Sequence, residues 1–335
     1  MPATEFLDTL ARRSLSEQES YRTFTDILDG AMSDIEIAAL LAAMKTRGET
    51  ADEIAGAAMA MLEQARPFPQ PAYPVADTCG TGGDGLGTVN ISTAAAFVAA
   101  AAGIPVAKHG NRASSSRAGS ADVLESLGLD LERSPETARR ALDRAGVCFL
   151  FAPAYHPGVR KAAIVRRTLR TRTVMNLLGP LVNPARPTWQ VMGVYAPHLV
   201  RPIAETLRRL GVSSALVVHG SGLDELALHG PTTAARLRAG RIEDLILTPE
   251  DAGLPRAAVT ELTGAGPEES GPWLRDLLAG HGSPAQANAV ALNAGALLWV
   301  ADRAETLAEG ARLASAVIAE GSGADRLRLL LEEAA

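Results

Sequence analysis

Two glycine- and cation-rich stretches of this chain hold the residue types that bind phosphate. In the first, Gly80-Thr81-Gly82-Gly83-Asp84-Gly85-Leu86-Gly87, five of eight positions are glycine. Glycine permits positive φ and close backbone approach, so successive N–H groups can converge on an anion, and a helix starting just afterwards adds the positive end of its dipole. Asn90, Ser92 and Thr93 stand where they can cap that helix or bind the same anion. The second stretch runs Lys108-His109-Gly110-Asn111-Arg112-Ala113-Ser114-Ser115-Ser116-Arg117-Ala118-Gly119-Ser120. Lysine offers a point charge, arginine a planar fork and serine a neutral donor, all suited to phosphate oxygens. Farther on, Asp224-Glu225 presents paired carboxylates. These suit a hard cation such as Mg²⁺, and equally the acidic first turn of a helix.

The first stretch also satisfies G-x-G-x-x-G through Gly80, Gly82 and Gly85. A nicotinamide-dinucleotide fold wants an acidic residue at the end of the second strand, about 20 residues on, to hold a ribose diol. Here that strand ends in Lys108-His109, which attract phosphate instead. The P-loop pattern G-x-x-x-x-G-K-[ST] does not occur. His109 and Tyr155 are candidates to line a ligand pocket, or else to fill space and hydrogen-bond, whereas His156, beside Pro157, reads as part of a structural turn. Cys79 and Cys148 read as small buried groups rather than nucleophiles.

Charge distribution supports an anionic guest. The net charge of −6 argues against a general nucleic-acid coat, which needs a broadly basic surface. Yet Gly85 to Ala121 contains no Asp or Glu while holding Lys108, His109, Arg112 and Arg117, and Arg144 to Ala204, also free of acids, carries eight Arg and one Lys. Such segregation can focus positive potential in a cleft, which favours a small polyanion over a long nucleic acid. Hydrophobic residues at 47% and charged residues at 21% exclude a disordered chain. Two cysteines exclude a disulfide framework and fit a reducing compartment. The N-terminus does not read as a signal peptide, and the longest apolar stretch, Ala94 to Ala107, is shorter than a membrane span, so a cytoplasmic protein is expected.

The elements that must position these residues follow from capping and periodicity. Ser16 with Glu19, Ser33 with Glu36 and Thr50 with Glu53 are capping boxes that precede helix-period patterns, with Gly30 and Gly48 as stops. Residues 1–66 are therefore expected to be helical, and the prolines of 67–74 to form an extended linker. Residues 75–335 alternate as an α/β domain. Its strands are expected at Val75–Cys79, Ile104–Ala107, Val147–Phe151, Val191–Tyr195, Ala215–His219 and Ile242–Leu247. Helices are expected at Ile91–Ala102, from Ser134-Pro135 to Gly146, and as three or four closing helices after Gly271.

The blocks Gly80-Thr81-Gly82-Gly83-Asp84 with Asn90-Ile91-Ser92-Thr93, then Lys108-His109-Gly110-Asn111-Arg112 with Ser115, Ser116 and Gly119-Ser120-Ala121-Asp122, together resemble the anthranilate phosphoribosyltransferase family. The resemblance continues through Arg166, Arg172-Thr173, Asn176 to Pro184 and Asp224-Glu225. It implies a nucleoside phosphorylase/phosphoribosyltransferase-like fold: a small N-terminal helical domain plus a larger α/β domain, with a segment near 165–190 packing back on the helices. It implies a Mg²⁺-dependent homodimer that transfers phosphoribose from phosphoribosyl pyrophosphate (PRPP) to the amine of anthranilate. Carried over to this chain, PRPP contacts fall on Gly80, Gly83, Asp84, Thr88, Asn90, Ile91, Ser92, Thr93, Lys108, His109, Gly110, Asn111, Arg112, Ala113, Ser114, Ser115, Ser116 and Ser120. Anthranilate contacts fall on Gly80, Asn111 and Arg166, and metal ligation on Ser92, Asp224 and Glu225. No residue is assigned as acid or base. The competing readings are a pyrimidine nucleoside phosphorylase of the same architecture and a non-catalytic relative that binds nucleic acid; membrane partners are not expected.

Overall fold

All three capping boxes form. The Ser16, Ser33 and Thr50 side chains accept from the backbone N–H of Glu19, Glu36 and Glu53, whose carboxylates return to the cap backbone. The structure is a computed structural model, and it describes residues 3–113, 117–264 and 266–333. Ser114, Ser115 and Ser116 lie outside the described residues. The caps start α2 (Glu17–Asp29), α3 (Asp34–Arg47) and α4 (Ala51–Glu63), which follow α1 (Ala3–Leu10).

Seven strands form one sheet: β1 (Ala76–Gly80), β2 (Val106–Gly110), β3 (Val147–Phe151), β4 (Trp189–Gly193), β5 (Ser214–Gly220), β6 (Thr232–Arg238) and β7 (Arg241–Leu247), in the order β3-β2-β1-β4-β5-β6-β7. From β3 to β5 neighbours run parallel, and β6 and β7 add an antiparallel hairpin. The connections are α5 (Ile91–Ala101), then α6 (Ser120–Ser126) and α7 (Pro135–Ala145), then α8 (Ala152–Tyr155), α9 (Ala163–Leu169) and α10 (Val174–Leu178), then α11 (Val200–Arg209). The chain closes with α12 (Pro267–Leu278), α13 (Pro284–Val300), α14 (Leu307–Glu320) and α15 (Gly323–Glu332). From β1 the chain proceeds to one side, then returns past it to β4. That reversal opens a crevice at the carboxyl ends of β1 and β4, where open α/β sheets bind ligands.

Alternation along the strands divides the apolar residues between two cores. Val191, Leu216 and Val218 face α5, α7 and the closing helices. Met192, Ala215 and Val217 face the opposite way and join Phe24, Leu40 and Ile54 of the N-terminal helices, Val165, Met175 and Leu177 of α9 and α10, and Ile203 and Leu207 of α11.

Several boundaries differ from the sequence expectation. The second strand begins at Val106 and continues through Gly110, because Gly103 and Pro105 shape the turn before it and Pro105 has no N–H to pair. Lys108 and His109 are therefore buried inside β2 rather than exposed beyond its end. β1 and β4 are also displaced, by one residue and two residues, from Val75–Cys79 and Val191–Tyr195. Strand β6 was not expected from its Thr-Thr-Ala-Ala-Arg-Leu-Arg run; Arg236 there packs over the Trp299 ring at 3.9 Å, covering apolar surface with its stem. Helix α12 starts at Pro267, ahead of Gly271.

Candidate active site

Beyond Ala76 and Val106, β1 and β2 share no further register. The gap is bridged by Asn183, whose amide donates to Asp77 Oδ2 at 2.9 Å and to the Ala107 carbonyl at 2.7 Å, while its Oδ1 accepts from Ala185 N at 2.9 Å. Asp77 is fully buried; burial raises its carboxyl while nearby Lys108 opposes the shift. Lys108 donates to the Thr78 carbonyl at 2.6 Å and to Ser92 Oγ at 3.3 Å. A buried ammonium thus sits under the start of α5.

Above it lies a cleft of about 470 Å³ between the strand ends and α8 to α10. The glycine loop forms one wall, with Gly82 and Gly83 at φ 69° and 85°. At Gly80 and Gly193 the requirement is space: an added Cβ would lie 2.2 Å from Asp224 Oδ2 and 1.5 Å from the Asp224 carbonyl oxygen, respectively. These glycines let the 221–225 turn fold onto the sheet. Asp224 Oδ2 then accepts from Gly82 N at 2.6 Å, and Glu225 Oε1 from Ser92 N at 3.1 Å. Burial, followed by the neighbouring Asp84 for Asp224 and by Asp224 for Glu225, raises both carboxyls well above their usual range. Crowded, desolvated acids of this kind gain from a cation. Among the described residues no three His, Cys, Asp or Glu side chains form a ready-made metal cluster, so a cation here would complete its shell with Ser92, waters and substrate oxygens, as Mg²⁺ commonly does.

The described donor-site residues expected from sequence all reach this cleft: Gly80, Gly83, Asp84 and Thr88 from the glycine loop, Asn90 to Thr93 from α5, Lys108 to Ala113 from β2 and its exit, and Ser120 from α6. Asp122 Oδ2 closes the basic loop by accepting from Ala113 N and Gly119 N, both at 2.8 Å. Two expectations change. Asn90 occupies the cap position of α5 without capping it, its amide instead donating to the Ala118 carbonyl at 3.0 Å. Arg112 is neutralised at the surface by Glu125, one nitrogen donating at 2.8 Å, and its charge is shared with Asp122.

On the facing wall Arg166 is partly buried, burial lowers its pKa, and it has no acidic partner among the described residues. His109 donates Nδ1–H to the Gly179 carbonyl at 3.0 Å, leaving Nε2 without a hydrogen bond. Burial, then the neighbouring His156 ring, pushes its pKa down to about 3, so it stays neutral. Tyr155 does not line the cleft and its hydroxyl is buried, whereas His156, read from sequence as part of a structural turn, does line it. Sequence reasoning also missed Met61, Val159, Met175 and Pro180 as wall residues. Their apolar types carry no chemical signature, and only the fold brings them here.

Two family models account for most of the chain: one described as "Glycosyl transferase family, a/b domain" matches residues 72–324, and one described as "Glycosyl transferase family, helical bundle domain" matches residues 7–65. An anthranilate phosphoribosyltransferase from Sorangium cellulosum is 58% identical over 313 residues, covering 93% of this chain and 90% of the relative. This chain belongs to the anthranilate phosphoribosyltransferase family. A second family member, from Aeromonas hydrophila, is 52% identical over 95% of this chain and 94% of its own length. Among solved members, the crystal structure of the Thermus thermophilus enzyme superposes with a TM-score of 0.94 at 46% identity, covering 100% of this chain and 99% of that one. The Saccharomyces cerevisiae enzyme, solved in complex with PRPP and Mg, gives a TM-score of 0.90 at 26% identity over 99% of this chain and 97% of that one.

Proposed function

We propose that this chain is an anthranilate phosphoribosyltransferase, a Mg²⁺-dependent enzyme that forms N-(5-phosphoribosyl)anthranilate and pyrophosphate in tryptophan biosynthesis. The observation that carries the reading is the opposition, across one cleft, of an acid-free Arg166 and a wall in which the glycine loop is fastened to Asp224 and the start of α5 to Glu225. One wall suits a carboxylate, the other a metal-bound diphosphate.

In the reaction the C1–O bond to diphosphate breaks with its electron pair on the leaving group, the amine nitrogen bonds to C1, and one amine proton is released. Mg²⁺, when bound, neutralises charge on the departing diphosphate; Asp224, Glu225 and Ser92 would hold it. The glycine-loop amides and Lys108 place positive charge beside the leaving group, with the basic loop through Ser120 holding the rest of PRPP. Arg166 orients anthranilate through its carboxylate, Asn111 offers an amide contact, and Gly80 allows close approach. A weakly basic aromatic amine needs position more than a strong base, and we assign none.

We also read residues 1–66 as the helical domain, 67–74 as the linker and 75–335 as the α/β domain, with a homodimer as the working assembly. Exposed Leu7, Ile35 and Ile164, on the contacting helices α1, α3 and α9, support association through the helical layer. Free, buried Cys79 and Cys148 fit a cytoplasmic location, and among the described residues no helix is long and apolar enough to cross a membrane. The acidic net charge supports small-molecule partners rather than nucleic acid.

The deciding experiment mixes the purified protein with PRPP, Mg²⁺ and anthranilate and follows the decay of anthranilate fluorescence. Phosphorolysis of thymidine or uridine without that decay would replace the transferase with a phosphorylase.

A further inference from the structure

Arg172 is an exposed residue that does not line the cleft, yet its side chain reaches the loop that does. Its Nη2 donates to the Gly83 carbonyl. Its guanidinium lies 4.5 Å over the Tyr195 ring, and the Tyr195 N–H in turn donates to Thr81 Oγ1 at 3.1 Å. Its own carbonyl accepts from Lys45 Nζ at 2.8 Å, so α3 braces the same residue. The absence of a side chain at position 83 eases this contact: a Cβ there would lie 3.1 Å from Arg172 Nε.

The consequence concerns the next N–H. A trans peptide points its C=O and its N–H to opposite sides, and the described chain has no cis bond. Gly83 and Asp84 both line the cleft, and the Gly83 carbonyl meets Arg172, which does not line it. The Asp84 N–H, in the same peptide plane, points to the side opposite Arg172 and donates to no group among the described residues. Its neighbour Gly82 N–H is already taken by Asp224. Asp84 N–H is thus an open donor whose direction is set by a side chain behind it.

We propose that Arg172 is a positioning residue for the donor substrate: by holding the Gly83 carbonyl outward, it aims the Asp84 amide at the diphosphate of PRPP. This rests on reading the cleft as the PRPP site. Arg172 touches no reacting atom; it acts through the peptide it orients. Arginine suits the task because its planar fork can stack on Tyr195 while donating to the carbonyl, which a lysine ammonium cannot do equally.

The test compares the parent with Arg172→Met, which keeps an apolar stem over Tyr195 but has no donor, and with Arg172→Lys, which keeps the charge and a donor. Pyrophosphate with Mg²⁺ is titrated into each protein by calorimetry, thermal midpoints are recorded, and KM is measured for both substrates. R172M should bind pyrophosphate roughly tenfold more weakly and raise the KM for PRPP by a similar factor, as expected for losing one hydrogen bond to a charged group. The KM for anthranilate should stay within about twofold, and R172K should recover part of the loss. Parent-like pyrophosphate affinity in R172M overturns the proposal, as does an equal rise in both KM values or a lysine variant no better than methionine. If the parent binds pyrophosphate in this Arg172-dependent way but never consumes anthranilate, the functional reading fails and the loop geometry stands.

Discussion

Two buried histidines should each withdraw stability from this protein as pH falls. His109 and His156 meet edge to face with ring centroids 5.2 Å apart, at 4% and 6% exposure. Each donates a ring N–H to the segment re-entering the sheet, His109 to Gly179 and His156 to Val182 at 2.9 Å. Burial holds His109 down to about 3 and His156 down to about 4. Unfolded, both titrate near the ordinary value of about 6.5. Below that value the unfolded chain binds protons that the folded chain refuses, so this contribution to stability is complete above about pH 6.5 and is lost as pH falls toward the folded values. Each histidine costs about 1.4 kcal/mol per pH unit in that window. Near pH 5 the pair therefore removes about 4 kcal/mol, a large fraction of the stability of a typical domain. His156→Gln keeps a donor for Val182 and removes about half of the effect. Asp224 and Glu225, whose carboxyls burial raises, pull in the opposite direction as pH falls, so the comparison between parent and variant carries the test. Urea unfolding followed by circular dichroism between about pH 7 and pH 5 measures it. If the stability of H156Q changes between these pH values just as the parent's does, the histidine is not refusing a proton and the reasoning fails.

Arg166→Ala should raise the KM for anthranilate by roughly tenfold or more and disturb PRPP binding less, given the loss of a charge-assisted contact; steady-state kinetics with each substrate varied checks this, and unchanged constants remove the role. Gly193→Ala places a Cβ 1.5 Å from the Asp224 carbonyl oxygen, so the 221–225 turn must move. The expected result is a loss of about 1–3 kcal/mol in stability, read from urea unfolding, together with a weakened Mg²⁺ response. Replacing Asp224 and Glu225 together by alanine should flatten the dependence of turnover on Mg²⁺ concentration, provided circular dichroism shows a retained fold; a metal titration identical to the parent's contradicts the ligand assignment.

Local signals in the chain were strong where they were self-contained. A capping box needs only a hydroxyl and a carboxylate three residues apart, so the starts of α2, α3 and α4 could be read directly from Ser16, Ser33 and Thr50. Five closely spaced glycines likewise marked the loop after β1. Features that depend on partners distant in sequence were harder to read. Nothing near Lys108 tells that it lies within a strand above Asp77, since that placement depends on Pro105 delaying the strand and on Asn183 filling the gap between β1 and β2. Arg112 has the composition of a phosphate ligand, but Glu125, thirteen positions away across a loop, claims its guanidinium. Tyr155 and His156 exchange their expected places because Tyr155, the last residue of α8, turns into the hydrophobic core while His156, the next residue, meets the cleft wall, a matter of phase that composition does not encode.

The apolar cluster beneath the N-terminal helices is completed by Met192, Val217 and Ile203, which belong to strands and a helix far along the chain. Arg209 of α11 also pairs with Glu17 at 3.0 Å and Asp52 at 2.6 Å. Cut free, those opening helices would expose Phe24, Leu40 and Ile54 with nothing to dock on. They make an unfinished half rather than a portable module, and any swivelling of that layer during turnover has to preserve this shared seam.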